Sequence, residues 1–138
     1  MANKIYGSNN EPLKIQFITD THYYSRKGGT EGKAYEKAES KSQKVIKDSD
    51  LVLKAGFDML CEDTSTDIVV LAGDTTRDGE IESHKEFIEM LRDLKKRGKR
   101  VYVITATHDF RDGGVAPGYD GDNEIQVPAV EERHDLWE

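Results

Sequence analysis

The chain has 138 residues, within the range of one domain, and 34% of them are charged against 36% apolar. The net charge of −7 excludes the basic surface that non-specific binding to nucleic acid or an anionic membrane requires. One cysteine, Cys61, closes no disulfide within the chain and fits a reducing, cytoplasmic setting best, though an export signal trimmed away would leave no trace, and no run approaches the roughly 18 apolar residues of a membrane span.

Residues 1–12 read as a polar arm. The apolar run Leu13 to Thr19 predicts a first strand that ends at Asp20-Thr21-His22. Residues 23–34 form a glycine-rich basic loop. Its Gly32-Lys33 pair lacks both the glycine spacing and the following Ser/Thr of a phosphate loop. A helix is expected from somewhere between 35 and 41 to near Cys61. Ser40 and Gln43 are spaced as a capping box, and Val45, Val52, Gly56 and Met59, with Leu53 and Leu60 beside them, supply its apolar face.

After the polar turn Asp63 to Asp67, Ile68 to Ala72 reads as a second strand, ending at Gly73-Asp74. The next helix runs from about 80 to 97. Acid at Asp78-Gly79-Glu80 meets its N-terminal dipole, Lys95-Lys96-Arg97-Gly98 supplies base and a stop, and Ile81, His84, Ile88 and Leu91 share a face. A third strand, about 100–105, leads to Thr107-His108-Asp109. Residues 110–128, with their glycines and two prolines, read as a long loop, and 129–138 as a helix cut short.

Strand, helix, strand, helix, strand gives an α/β fold: a βαβαβ parallel sheet with flanking helices. Strands two and three are apolar on both faces, as in a sheet covered on both sides. With strands in chain order both helices fall on one side. The other face then needs a cover from a larger molecule or a second copy.

Ligands of open parallel sheets sit beyond the carboxyl ends of the strands, where Asp20, His22, Asp74 and His108 all lie. Crowded carboxylates repel one another, and a divalent cation removes that cost. Mixed carboxylate and imidazole donors suit Zn, Mn or Fe better than Ca. Taken singly, each residue also has an ordinary reading as a cap, turn or loop residue. Asp78 is a helix N-cap or a hydrogen-bond acceptor behind the ligands; His84 is a core histidine or such a supporting partner. Arg26, Lys27 and Lys33 either meet a substrate phosphate or sit on a solvated loop. Tyr6, Tyr23, Tyr24 and Tyr119 either line a base-binding pocket or are loop aromatics.

Asp20-x-His22, then Gly73-Asp74-Thr75-Thr76-Arg77-Asp78-Gly79-Glu80, then Ala106-Thr107-His108-Asp109 resembles the calcineurin-like metallophosphoesterase family. The family pattern is DxH, GDxxxD/N, GNHD/E and later histidines ending in GHxH. Segment 73–90, with Glu82-Ser83-His84, is most similar to the bacterial phosphodiesterase branch, and the resemblance covers residues 13–110. It implies a hydrolase with two divalent ions (Mn, Fe or Zn) and an αββα sandwich, of which this chain carries the first half. It also implies roles. Asp20 and His22 hold the first ion and Asp74 bridges both. His108 touches the substrate and protonates the leaving oxygen, oriented by Asp109.

Two departures bear on that reading. Thr107 stands where the family has the asparagine that serves the second metal or the substrate, and Ala106 replaces the preceding glycine. The later histidines have no counterpart except His134, which reads as a solvent-facing residue of the tail. The chain is therefore expected to be an N-terminal portion with an incomplete site and little activity of its own. Its expected substrate is a small phosphate ester, cyclic nucleotides among them. A homodimer or a missing C-terminal half would cover the sheet. The rival expectation is a degenerate module that binds a protein partner without catalysis.

Overall fold

A computed structural model of the chain describes residues 13–132. The polar arm, Tyr6, His134 and most of the expected terminal helix lie outside the described residues. Three parallel strands, β1 (Ile15–Ile18), β2 (Ile68–Ala72) and β3 (Arg100–Ile104), form one sheet in chain order. Helices α1 (Lys33–Lys41) and α2 (Ser49–Glu62) separate the first two, and α3 (Ile81–Lys96) the last two.

Register decides which side chains share a face. Gln16, Val69 and Val101 are aligned, as are Ile18, Leu71 and Val103. On that face Val69 and Leu71 are buried against Leu53 and Phe57 of α2 and Phe87, Leu91 and Leu94 of α3. Both helices thus cover the same side, as chain-order strands require. On the opposite face Phe17, Tyr102 and Ile104 stand 69%, 57% and 57% exposed. The described residues leave that apolar face open.

The single helix expected between 35 and Cys61 is two. Ser42 ends α1 in an extended conformation, and its hydroxyl accepts from the Lys44 N–H at 3.0 Å. The intervening loop buries Ile46 in a second, smaller core with Tyr24, Tyr35 and Tyr119. Ser40 is interior to α1 and donates to the Lys37 carbonyl, so it caps nothing. The buried stripe of α2 is Ser49, Leu53 and Phe57, while Val52 and Met59 are 62% and 69% exposed. Two adjacent apolar stripes ran along this segment, and packing chose the one that holds Phe57.

The long loop expected over 110–128 is largely an antiparallel hairpin, β4 (Val115–Asp120) with β5 (Asn123–Pro128), closed by Gly121-Asp122. Gly-Asp between two extended runs is a hairpin signal that the surrounding prolines obscured. Asp122 at the tip accepts the first N–H of α1 at 3.1 Å, which ties the hairpin to that helix. Residues 129–132 are not helical. Ala129 bridges Glu80, and Val130 is buried with its N–H on the Gly79 carbonyl at 2.8 Å. Among the described tyrosines, Tyr23 is in the main core, and Tyr24 and Tyr119 in the small one.

Candidate metal centre

Beyond the sheet, the chain segments that follow β1 and β2 run side by side. The N–H groups of Asp20, His22 and Tyr23 donate to the carbonyls of Gly73, Asp74 and Thr75 at 3.2, 3.0 and 2.9 Å, and Arg77 N–H returns to the Tyr23 carbonyl at 3.0 Å. The Thr21 hydroxyl adds a bond to the Thr75 carbonyl at 2.8 Å. This ladder draws Asp20, His22 and Asp74 together. One donor atom from each lies within 4.8 Å of the other two.

All three residues hold left-handed backbone, with φ of 55°, 43° and 51°. Such conformations are uncommon for non-glycine residues and cost on the order of 1 kcal/mol each. They persist where surrounding structure imposes them, and their coincidence with three candidate ligands marks this rim. Gly73 beside them has φ 93°, and a Cβ there would meet Ala106 Cβ at 2.5 Å, so the turn requires glycine.

His22 is largely enclosed, while Asp20 faces solvent. Burial first, and then the Lys44 ammonium, hold His22 below the ordinary histidine range, in the neutral form a metal ligand needs. Its Nδ1 faces the Thr76 carbonyl at 3.4 Å and its Nε2 is 3.7 Å from Asp20 Oδ1, so Nε2 points into the donor set.

His108 joins from the far side. Its backbone N–H donates to Asp74 Oδ1 at 2.9 Å, and its ring stands edge-on to His22 with centroids 4.9 Å apart. Its Nδ1 lies 2.8 Å from the Arg77 carbonyl, 3.0 Å from Lys44 Nζ and 3.5 Å from Asp78 Oδ1. The Thr107 hydroxyl is 3.4 Å from Asp74 Oδ1.

Asp109 does something other than expected. It is fully buried, and its carboxylate accepts from Thr75 N–H (2.8 Å), Thr75 hydroxyl (2.5 Å), Thr76 N–H (2.9 Å) and Ala106 N–H (2.9 Å). It therefore fixes the turn that presents Asp74 and does not orient the His108 imidazole. Neighbours in a 3₁₀ turn project about 120° apart, which sends the two side chains in different directions.

Asp78 is not the N-cap of α3, a place taken by Glu80; it lies between His108, Arg77 and Arg111 at 3.5 to 3.6 Å. His84 is buried, its Nε2 is 2.8 Å from the Asp109 carbonyl, and burial lowers its pKa, so it supports Asp109 from below. Arg26, Lys27 and Lys33 are paired with Asp50, with Glu82 and Glu86, and with Asp122. Lys44 is the residue that sequence reasoning missed. It sits in a loop outside every motif, and only the tertiary fold brings it to His108.

The donor chemistry is thus two carboxylates and a neutral imidazole at one sheet rim, which fits a divalent transition metal. A family model for calcineurin-like phosphoesterases matches residues 13–136. The chain belongs to this family. A comparison with curated proteins finds no match. For a calcineurin-like phosphoesterase, divalent metals and phosphoester hydrolysis are the family's chemistry, and the cluster of Asp20, His22 and Asp74 is where this member can hold an ion. Among the described residues no helix is long and apolar enough to cross a membrane.

Proposed function

We propose that this phosphoesterase hydrolyses small phosphate esters, phosphodiesters such as cyclic nucleotides ahead of monoesters, in the cytoplasm. The observation that carries the reading is the convergence of Asp20, His22 and Asp74 donor atoms within 4.8 Å, with His108 hydrogen-bonded to Asp74. Two divalent ions of Mn, Fe or Zn belong to the complete centre in this reading. Asp20 and His22 would hold one, Asp74 would serve both, and Thr107 would offer the second a hydroxyl, a poorer ligand than an amide. Bound there, such ions acidify water and draw charge from a phosphoryl group.

The chain's own residues supply the rest. His108 Nδ1–H donates to the Arg77 carbonyl, which leaves Nε2 as the atom that would give a proton to the leaving oxygen. Asp109 and His84 hold the Asp74 turn rigid. The three donors among the described residues make roughly half of a dinuclear site, so turnover is expected to be slow.

Release of nitrophenolate from bis(p-nitrophenyl) phosphate tests this. Slow, Mn²⁺-dependent release that Asp74→Asn abolishes supports the reading. Fast release with the same dependence keeps the hydrolase and removes the half-site. Release indifferent to both Mn²⁺ and Asp74→Asn contradicts the reading altogether.

A second reading, a degenerate module that docks on protein, draws on the open sheet face around Phe17, Tyr102 and Ile104. In either reading that face is covered in the working molecule, by a second copy or by a further half-domain. Sedimentation at rising concentration separates the two. A dimer that Tyr102→Lys dissociates supports the second copy, and a strict monomer removes it.

A further inference from the structure

Lys44 is half-buried in the loop between α1 and α2, and among the described residues its ammonium meets a carbonyl and an imidazole but no carboxylate at ion-pair distance. Its Nζ lies 3.1 Å from the Arg77 carbonyl and 3.0 Å from His108 Nδ1. Asp78, the acid whose field it feels most strongly, is already engaged by Arg77, Arg111 and His108. Among the described residues Lys44 has no ion-pair partner, whereas Arg26 and Lys33 each have one and Lys27 has two. It lines the mouth of an open groove together with Asp20, Thr21, His22 and Gln43.

A partly desolvated ammonium without a counter-ion is costly. A divalent ion in the adjoining donor set would add more positive charge beside it. Both costs vanish when an oxyanion lies between the two cations, one oxygen toward each. The Arg77 carbonyl, which accepts from Nζ, already fixes the direction of the side chain, so less rotamer entropy remains to be lost on binding.

We infer that Lys44 is the phosphate-binding residue of this centre, gripping an oxygen of the phosphate or phosphate ester at the groove mouth, an assignment that rests on the phosphoesterase reading above. It places a fixed positive charge at the rim where Thr107 serves a second ion poorly. The lysine thereby compensates for the altered motif with a residue that no motif contains.

Binding of inorganic phosphate to the whole chain, by calorimetry with Mn²⁺ and again with chelator, tests the assignment apart from turnover. Lys44→Met and Lys44→Gln are expected to keep the wild-type far-ultraviolet spectrum and Mn²⁺ affinity while losing about tenfold or more in phosphate affinity. Lys44→Arg, which retains the charge, is expected to keep most of that affinity. A residue that merely pins the loop would leave phosphate affinity unchanged in folded variants, and that result overturns the assignment. So does unfolding of both neutral variants, or a wild-type chain that binds no phosphate. Absence of Mn²⁺ binding defeats the metal reading instead. Phosphate affinity that is present with chelator and lost on Lys44→Met would still support Lys44, and affinity that survives the substitution would overturn it.

Discussion

The carboxylate of Asp109 accepts three backbone N–H groups and two hydroxyls, that of Thr76 at the longer distance of 3.4 Å, all from residues that flank Asp74 or His108. Hydrogen bonds to a buried charged acceptor contribute about 1.5–3 kcal/mol each, and Asp109→Asn replaces one oxygen with a donor facing donors. The expected cost is about 2–4 kcal/mol in urea unfolding; a loss under about 0.5 kcal/mol would mean that the clamp does not bear on stability. Glu80 supplies a pH dependence. Burial raises its carboxyl pKa, and its Oε1 has no hydrogen-bond partner. The unfolded chain therefore loses this proton at lower pH than the folded one. Stability from Glu80 is greatest below the ordinary value of 4.5 and falls as pH rises through the folded pKa. Glu80→Gln should thus gain on wild type as pH is raised from 4.5 to 8, and a stability difference constant across that range contradicts the sign. At this scale the convergence of Asp20, His22 and Asp74 was legible because they end strand-like runs. Lys44 was not, because its place is set by a loop that tucks Ile46 into a distant core.

Helix α2 shows where periodicity stops being informative. Val52 and Leu53 are neighbours, equally apolar, yet one is 62% exposed and the other buried against β2 and α3. Leu53→Ala is expected to cost about 2–5 kcal/mol and Val52→Ala no more than about 0.5 kcal/mol by chemical denaturation. Equal losses would mean that the helix is rotated about its axis. Strand β2 was legible to the residue, since a central parallel strand is a short, unbroken apolar run, and β3 within one residue; β1 is shorter at both ends than its apolar run. The hairpin over Val115–Pro128 was not: its prolines and glycines mimic a loop, and its pairing depends on Tyr119 finding Tyr24, Tyr35 and Ile46. The break between α1 and α2 was hidden for the same reason, since the loop is held by contacts remote in sequence.

At the scale of the whole molecule, chain-order strands leave one face covered and one open among the described residues, an asymmetry that follows from topology. The same topology delivers two strand ends and a 3₁₀ turn to one rim, where Asp20, His22 and Asp74 meet beside His108. Their donor atoms form a set that an ion can complete, and three residues carry uncommon backbone to make it so. Titration of the chain with Mn²⁺, read as bound metal per chain, puts that arrangement to trial most directly. Stoichiometric uptake that falls at least about tenfold on Asp74→Asn and again on His22→Ala, with the fold retained, is the expected result. A folded chain that takes up no divalent metal, or that holds it equally well without Asp74 and His22, would contradict the account.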